Sequence, residues 1–242
     1  EFFVDANNNN SHDASELRAL FTDLNQINVS GDGNNTAFFW RDNFATASLN
    51  LPSVGGSVVN VNNVNSFETN ATATIQGNAS IAANESVKFG GDLNVTGNLT
   101  ASASNSSGAL STLAAAKLTV TGATQFSANA IELDGATGNV NFNDLTINSA
   151  AGTTISGAII GDDVDINANG LVNIKSAGSI DATTLTLDAL GSNSDIRIDG
   201  QLTSTGNMEL RADDSILLGA TSSLSVDGSG HLFLFANTDN SN

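Results

Sequence analysis

Asp163-Val-Asp-Ile-Asn167, Thr184-Leu-Thr-Leu-Asp188, Asn207-Met-Glu-Leu-Arg211 and His231-Leu-Phe-Leu-Phe235 share one pattern: two large apolar residues at alternate positions. Their first members, at 164, 185, 208 and 232, lie 21, 23 and 24 residues apart. Two further sets fall between them. Ile174, Ile198 and Leu218 step by 24 and 20, and Ile180, Leu202 and Leu224 step by 22 and 22. Alternation of this kind belongs to strands with one buried face. Three such strands in every period of roughly 22 residues describe a three-sided coil. A single coil cannot bury its inward residues. It buries them against the same face of the coils before and after it. The spacing predicts an all-β fold, a right-handed parallel β-helix (a three-sided β-solenoid) of about eight coils.

The pattern continues upstream with looser spacing. Leu145 and Ile147 precede the Val164 pair by 19 residues, and Leu118 and Val120 lie 27 before those, with Ile131 and Leu133 as a second face. Leu93 and Val95 come 25 earlier still, and Val59 and Val61 mark the first coil. A propeller blade runs longer, about 40 residues, and a sandwich has no fixed repeat. Gly161-Asp162-Asp163, Ala168-Asn169-Gly170, Ala177-Gly178, Asp199-Gly200 and Asp227-Gly228 are expected to turn the chain between strands. Asn above Asn in successive coils is expected to form amide ladders.

Composition agrees. The 242 residues include no Cys, no Tyr, one Trp and one Pro, and 23 Gly. Helix formers are scarce, whereas turn residues and β-branched residues are abundant. The formal net charge is −18, with only seven Lys and Arg. No basic patch is available to neutralise phosphates or anionic lipid, so neither nucleic-acid binding nor membrane insertion is expected. The absence of Cys excludes a disulfide framework and a thiol nucleophile.

Residues 1–53 read differently. They hold Trp40, His12 and six of the 12 Phe. Asp13-Ala-Ser-Glu16 resembles a capping box, and Leu17, Leu20, Phe21, Leu24 and Ile27 follow at helical spacing, which predicts one helix over about 14–27. Thr36 to Trp40 is expected to be a strand. The expected organisation is a helix-containing cap or docking segment over 1–53, the solenoid over 54–236, and a polar tail or continuation over 237–242. A stack of coils has open ends that invite further strand pairing, so self-association, end to end or lateral, is an expected partnership.

Gly91-Asp-Leu-Asn-Val-Thr-Gly-Asn-Leu-Thr100, Gly138-Asn-Val-Asn-Phe-Asn-Asp-Leu-Thr-Ile-Asn148 and Gly206-Asn-Met-Glu-Leu-Arg-Ala212 resemble the repeats of filamentous-haemagglutinin-like exoproteins and of giant bacterial surface β-solenoid proteins. The resemblance covers about residues 55–236 and is compositional. It implies a secreted shaft or adhesin outside the cell. Residues 1–50 do not resemble that family's secretion domain.

No catalytic constellation stands out, and the protein is not expected to be an enzyme. His12 and His231 are far apart in sequence. Cleavage of acidic glycans calls for clustered cations and aromatic platforms, and the repeats offer only Lys88, Lys117, Lys175, Arg197 and Arg211, without Tyr or Trp. No cofactor is expected apart from calcium. The candidates for Ca²⁺ are Asp162, Asp163 and Asp165 at one turn and Asp213 and Asp214 at another, where oxygen-rich turns can supply ligands. The competing account is a solvated acidic rim. Asn28, Asn34, Asn70, Asn78, Asn84, Asn94, Asn98 and Asn105 open Asn-X-Ser/Thr sequons and are candidate acceptors for N-glycosylation, although a chain this rich in Asn, Ser and Thr produces such triplets by chance. The expected function is an extracellular structural or adhesive one, a shaft or filament subunit at the cell surface or in a matrix. A carbohydrate-active or glycan-binding β-helix is the first alternative, with cell-surface glycans as partner. A phage fibre segment is the second.

Overall fold

The computed structural model describes residues 2–3, 18–19, 26–30, 37–40, 49–51, 58–69, 73–75, 77–134 and 140–236. Twenty strands form one continuous sheet, and every pairing within it is parallel. The sheet winds into a β-solenoid of about eight turns. Among the described residues there is no helix.

The three faces follow from the register. On the first face, Val59, Ala79, Leu99, Thr124, Leu145, Val164, Leu185, Met208 and Leu232 stand one above another. The second face stacks Phe67, Val87, Leu110, Ile131, Thr153, Val172, Ile196 and Ile216. The third stacks Leu93 on Leu118, and further on Ile159, Ile180, Leu202 and Leu224. From Val59 onward the offset between paired residues runs from 19 (Leu145 to Val164) to 25 (Leu99 to Thr124). The core is the column enclosed by the three faces, and most of its side chains are nearly inaccessible.

Some corners need no break in the strand. Leu118–Leu133 and Val140–Ile155 each cover parts of all three faces, with register irregularities between Val120 and Ala123 and between Ala128 and Ala130 absorbing the bends. Gly161-Asp162-Asp163, expected as a turn, likewise lies inside the strand Ala158–Ala168. The backbone bends there without leaving the ladder. Leu118 and Val120, expected on the face of Leu145, belong instead to the third face, above Leu93 and Val95. The true partners of Leu145 and Ile147 are Thr124 and Phe126. The Thr at this rung disguises the alternation.

Other corners are held by Asn and Asp side chains. The Gly77-Asn78, Gly97-Asn98 and Gly122-Ala123 steps lie above one another. Asn78 Oδ1 accepts from the Asn98 backbone N–H at 2.9 Å, and Asn98 Oδ1 accepts from the Ala123 N–H at 2.9 Å. A Cβ at Gly97 or Gly122 would collide with the Asn oxygen below it, so the grip requires glycine there. Asp92, Asp195 and Asn207 hold the backbone N–H groups of Lys117, Ser215 and His231 in the same way, at 3.0–3.1 Å. These ladders differ from the expected amide-on-amide stacking. At a corner the next coil's N–H has left the strand ladder, and it is the donor most in need of an acceptor.

Upstream, Gln26–Ser30, Ala37–Trp40 and Leu49–Leu51 pair in parallel with Val58–Thr69 and Ala73–Ile75 at offsets of 32, 29 and 24. The expected strand near Thr36 to Trp40 is present. Of the helix expected over about 14–27, the described residues Arg18–Ala19 and Gln26–Ser30 are strands, and the remainder lies outside the described residues. Arg18–Ala19 pairs antiparallel with Phe2–Phe3, and an extended pairing is incompatible with helical dihedrals. The boundary at 53/54 and the tail over 237–242 also lie outside the described residues.

Candidate functional site

The sequence candidates scatter over the stack. Asp162 and Asp163 are exposed at the bend of Ala158–Ala168. Asp163 pairs in register with Asp144 and accepts a hydrogen bond from the Thr184 hydroxyl. Asp165 points outward from the first face, two residues on. Asp213 Oδ2 is taken by the Asn193 N–H at 2.9 Å, and Asp214 is exposed beside it. Among the described residues, no three His, Asp or Glu side chains are grouped to hold a metal ion. Of the sequon residues, Asn94 points outward from Leu93–Val95 and is exposed. Asn78 and Asn98 are the corner grips. The Asn105 carboxamide accepts from the Ser106 hydroxyl and from the N–H and hydroxyl of Ser107, and Asn84 is half-buried. Asn28 lies in a described strand, whereas Asn34, Asn70 and His12 fall outside the described residues.

The feature with a shape is on the outer side of the first face. Ser102, Ser127, Asn148, Asn167 and Asp188 occupy one outward column, paired coil to coil. Beside them an open groove of about 540 Å³ runs along the stack, lined by Asn105, Asn129, Ala150, Asn169 and Leu190 and by the buried Ala103, Ala128, Ser149 and Ala168. Five rungs at about 4.8 Å make its lining column nearly 20 Å long. The column continues past the groove through Arg211 to Phe235.

Asp188 closes the groove at that end and is only 6% exposed. Arg211 Nη1 donates to its Oδ2 at 3.3 Å, while Arg211 Nε donates to Glu209 Oε1 at 2.8 Å. Asp188 Oδ1 is buried without a partner. Burial pushes the Asp188 carboxyl above the usual carboxylate range. The Asp165 and Glu209 charges push the same way, and Arg211 opposes them without cancelling the burial. Three of the other solenoid cations are also engaged: Lys88 with Glu68 at 3.6 Å, Lys175 with Glu132 at 3.9 Å, and Arg197 with Asp199 at 2.9 Å, whereas Lys117 is exposed.

The last described strand of the first face, Leu232–Phe235, carries an aromatic strip on its outer side. His231 stacks on Phe233 with ring centroids 5.9 Å apart, and Phe233 on Phe235 at 6.5 Å and an interplanar angle of 7°. Phe233 and Phe235 are 40% and 45% exposed, much as the inward Leu232 and Leu234 of this last described strand are, at 42% and 48%. Sequence reasoning passed over this strip and the groove. The strip was legible as Phe at the outward positions of the His231–Phe235 pattern, opposite in phase to Leu232 and Leu234. The groove was not, because Ser, Ala and Asn fill this chain everywhere.

No protein-family model matches the chain, and neither the curated proteins nor the solved structures contain a match to it.

Proposed function

We propose that the chain is an extracellular structural or adhesive shaft, of the kind that filamentous-haemagglutinin-like repeats build. The observation that supports this most is the unbroken stack: each coil adds one rung to three parallel ladders and one layer to a continuous core. Such a stack gains length linearly with residues, at about 4.8 Å per coil, and keeps one cross-section throughout. Eight coils span nearly 40 Å. The strongly acidic surface keeps such rods apart in solution. The reading is non-enzymatic: the outward faces carry Ser, Thr and Asn, and four of the five solenoid cations, Lys88, Lys175, Arg197 and Arg211, are paired with the chain's own carboxylates.

Two measurements test it. Electron microscopy of the purified chain is expected to show short rods of uniform width, singly or joined end to end, and protease treatment of intact source cells is expected to remove the protein. Round particles, or protein released only on lysis, overturn the reading.

A further inference from the structure

We infer that the groove on the first face binds a primary ammonium group carried on an apolar stem, held by the carboxylate of Asp188. The inference goes beyond the shaft reading and does not depend on it. It starts from a carboxylate with too few donors. Asp188 stands in register between Asn167 and Arg211, lines the end of the groove and is only 6% exposed. Arg211 is drawn away from it. Its Nε and Nη2 both donate to Glu209 Oε1, at 2.8 and 2.7 Å, while Nη1 meets Asp188 Oδ2 only at 3.3 Å. Asp188 Oδ1 has no partner at all. A carboxylate has about four acceptor sites, and a buried oxygen without a donor is costly. A small rotation about the Cβ–Cγ bond offers that oxygen to the groove, whose lining Asp188 already joins.

The surrounding charge fixes the sign of the ligand. Asp165 and Glu209 flank Thr186 in the neighbouring outward column, one rung to each side. Burial is the main reason that the Asp188 carboxyl lies above its ordinary range; Asp165 and Glu209 add to it, and Arg211 opposes them. Three carboxylates thus face one guanidinium, so an anion is repelled here and a cation is drawn in. A metal ion is the poorer match, because among the described residues no three His, Asp or Glu side chains are grouped to hold one. An ammonium needs only one close carboxylate and gains from others at a distance. It donates three hydrogen bonds, and Asn167, next to Asp188 in the column, offers a carboxamide oxygen to a second of them.

The groove also suits the stem. Ala150, Ala168 and Leu190 belong to the same lining as Asp188, and Leu190 is 50% exposed. Methylenes laid against them leave water while the charged head stays at the carboxylate. No aromatic ring is among the lining residues, so the groove offers acceptors and not ring faces. A quaternary ammonium, which has no N–H, is therefore a poor ligand. Two sources carry the right chemistry: a free polyamine, and a lysine side chain of another protein.

The test is calorimetric titration of the full chain with N-acetylcadaverine, its trimethylammonium analogue, spermidine and an acetylated lysine tripeptide amide. Saturable one-to-one binding of N-acetylcadaverine is expected, at least tenfold weaker in Asp188→Asn and several-fold weaker in Asp165→Asn. The trimethylammonium analogue is expected to bind several-fold more weakly than N-acetylcadaverine. Asp181→Asn removes the same charge from an exposed position on the third face and is expected to leave the affinity within twofold. That control separates the site from the general attraction of cations to an acidic chain. Circular dichroism checks that Asp188→Asn is folded; if it is not, Asp165→Asn and the analogue decide. Tighter binding of spermidine supports the site and assigns it to free polyamines, and tighter binding of the tripeptide supports it and assigns it to a protein lysine. No saturable binding at millimolar probe, equal weakening in Asp188→Asn and Asp181→Asn, or an analogue that binds as tightly overturns the inference. Rods that bind none of the probes defeat only this inference, and binding by round particles defeats only the shaft.

Discussion

The coils from Leu145 to Ala212 and those from Ala79 to Ala128 share one register but fill their interiors differently. In the downstream coils the inward pairs of the first face are Leu145/Ile147, Val164/Ile166, Leu185/Leu187 and Met208/Leu210, large residues rung upon rung. In the upstream coils the same positions hold Ala79/Ile81, Leu99/Ala101 and Thr124/Phe126. The missing volume comes from rings. Phe67, Phe89, Phe126 and Phe142 form a chain of contacts with centroids 6.0–6.1 Å apart, running across all three faces. A close-packed interior constrains total volume more tightly than residue identity. The backbone ladder therefore tolerates two packing solutions, one of uniform aliphatic layers and one of small residues around an aromatic column.

This contrast can be broken. Phe126→Ala is expected to cost about 4 kcal/mol, because the alanines around it leave nothing to collapse into the space. Leu187→Ala downstream is expected to cost about 3 kcal/mol. Urea unfolding midpoints check both, and a larger loss at Leu187 would mean that the aromatic column does not carry the upstream core. A third substitution sharpens the contrast by making an upstream rung resemble a downstream one. Thr124 is 2% exposed and its Oγ1 has no partner. Thr124→Val removes a buried unsatisfied hydroxyl at nearly constant volume and is expected to add about 1 kcal/mol, read by the same midpoints. A loss of stability would show that the hydroxyl is paired in solution.

The smallest effect concerns Asp188, the acid set into the aliphatic half. Its carboxyl is held above its ordinary value mainly by burial, so folding favours the protonated form. That contribution is fully present below the ordinary carboxylate range and is lost as pH rises through the folded value. Asp188→Asn is therefore expected to melt higher than the parent near neutral pH, with the difference shrinking toward pH 4. A difference that grows on acidification would contradict the assignment.

The two halves also differed in how far the sequence disclosed them. Downstream, Val, Ile and Leu alternate with polar residues and the period is direct, so all three faces were assigned to their positions. Upstream, Ala and Thr at inward positions carry little apolar signal, and the bend at Thr121-Gly122-Ala123 sits inside a strand. The Leu118 pair was thus taken for the first face when it lies on the third. The groove was invisible for a related reason: it arises from register, which brings residues about 20 apart side by side, and no short motif records that.

The corner grips make the coil forgiving of changes in its own length. Each Asn or Asp reaches one turn onward whether that turn holds 20 residues, as from Asn78 to Asn98, or 25, as from Asn98 to Ala123. A residue inserted at a corner lengthens one bend and leaves every later rung where it was. The same insertion within a strand turns the inward residues outward until the next corner. Insertions, deletions and duplications are therefore tolerated at the bends, where a lineage can vary loops and add turns without redesigning the column they enclose.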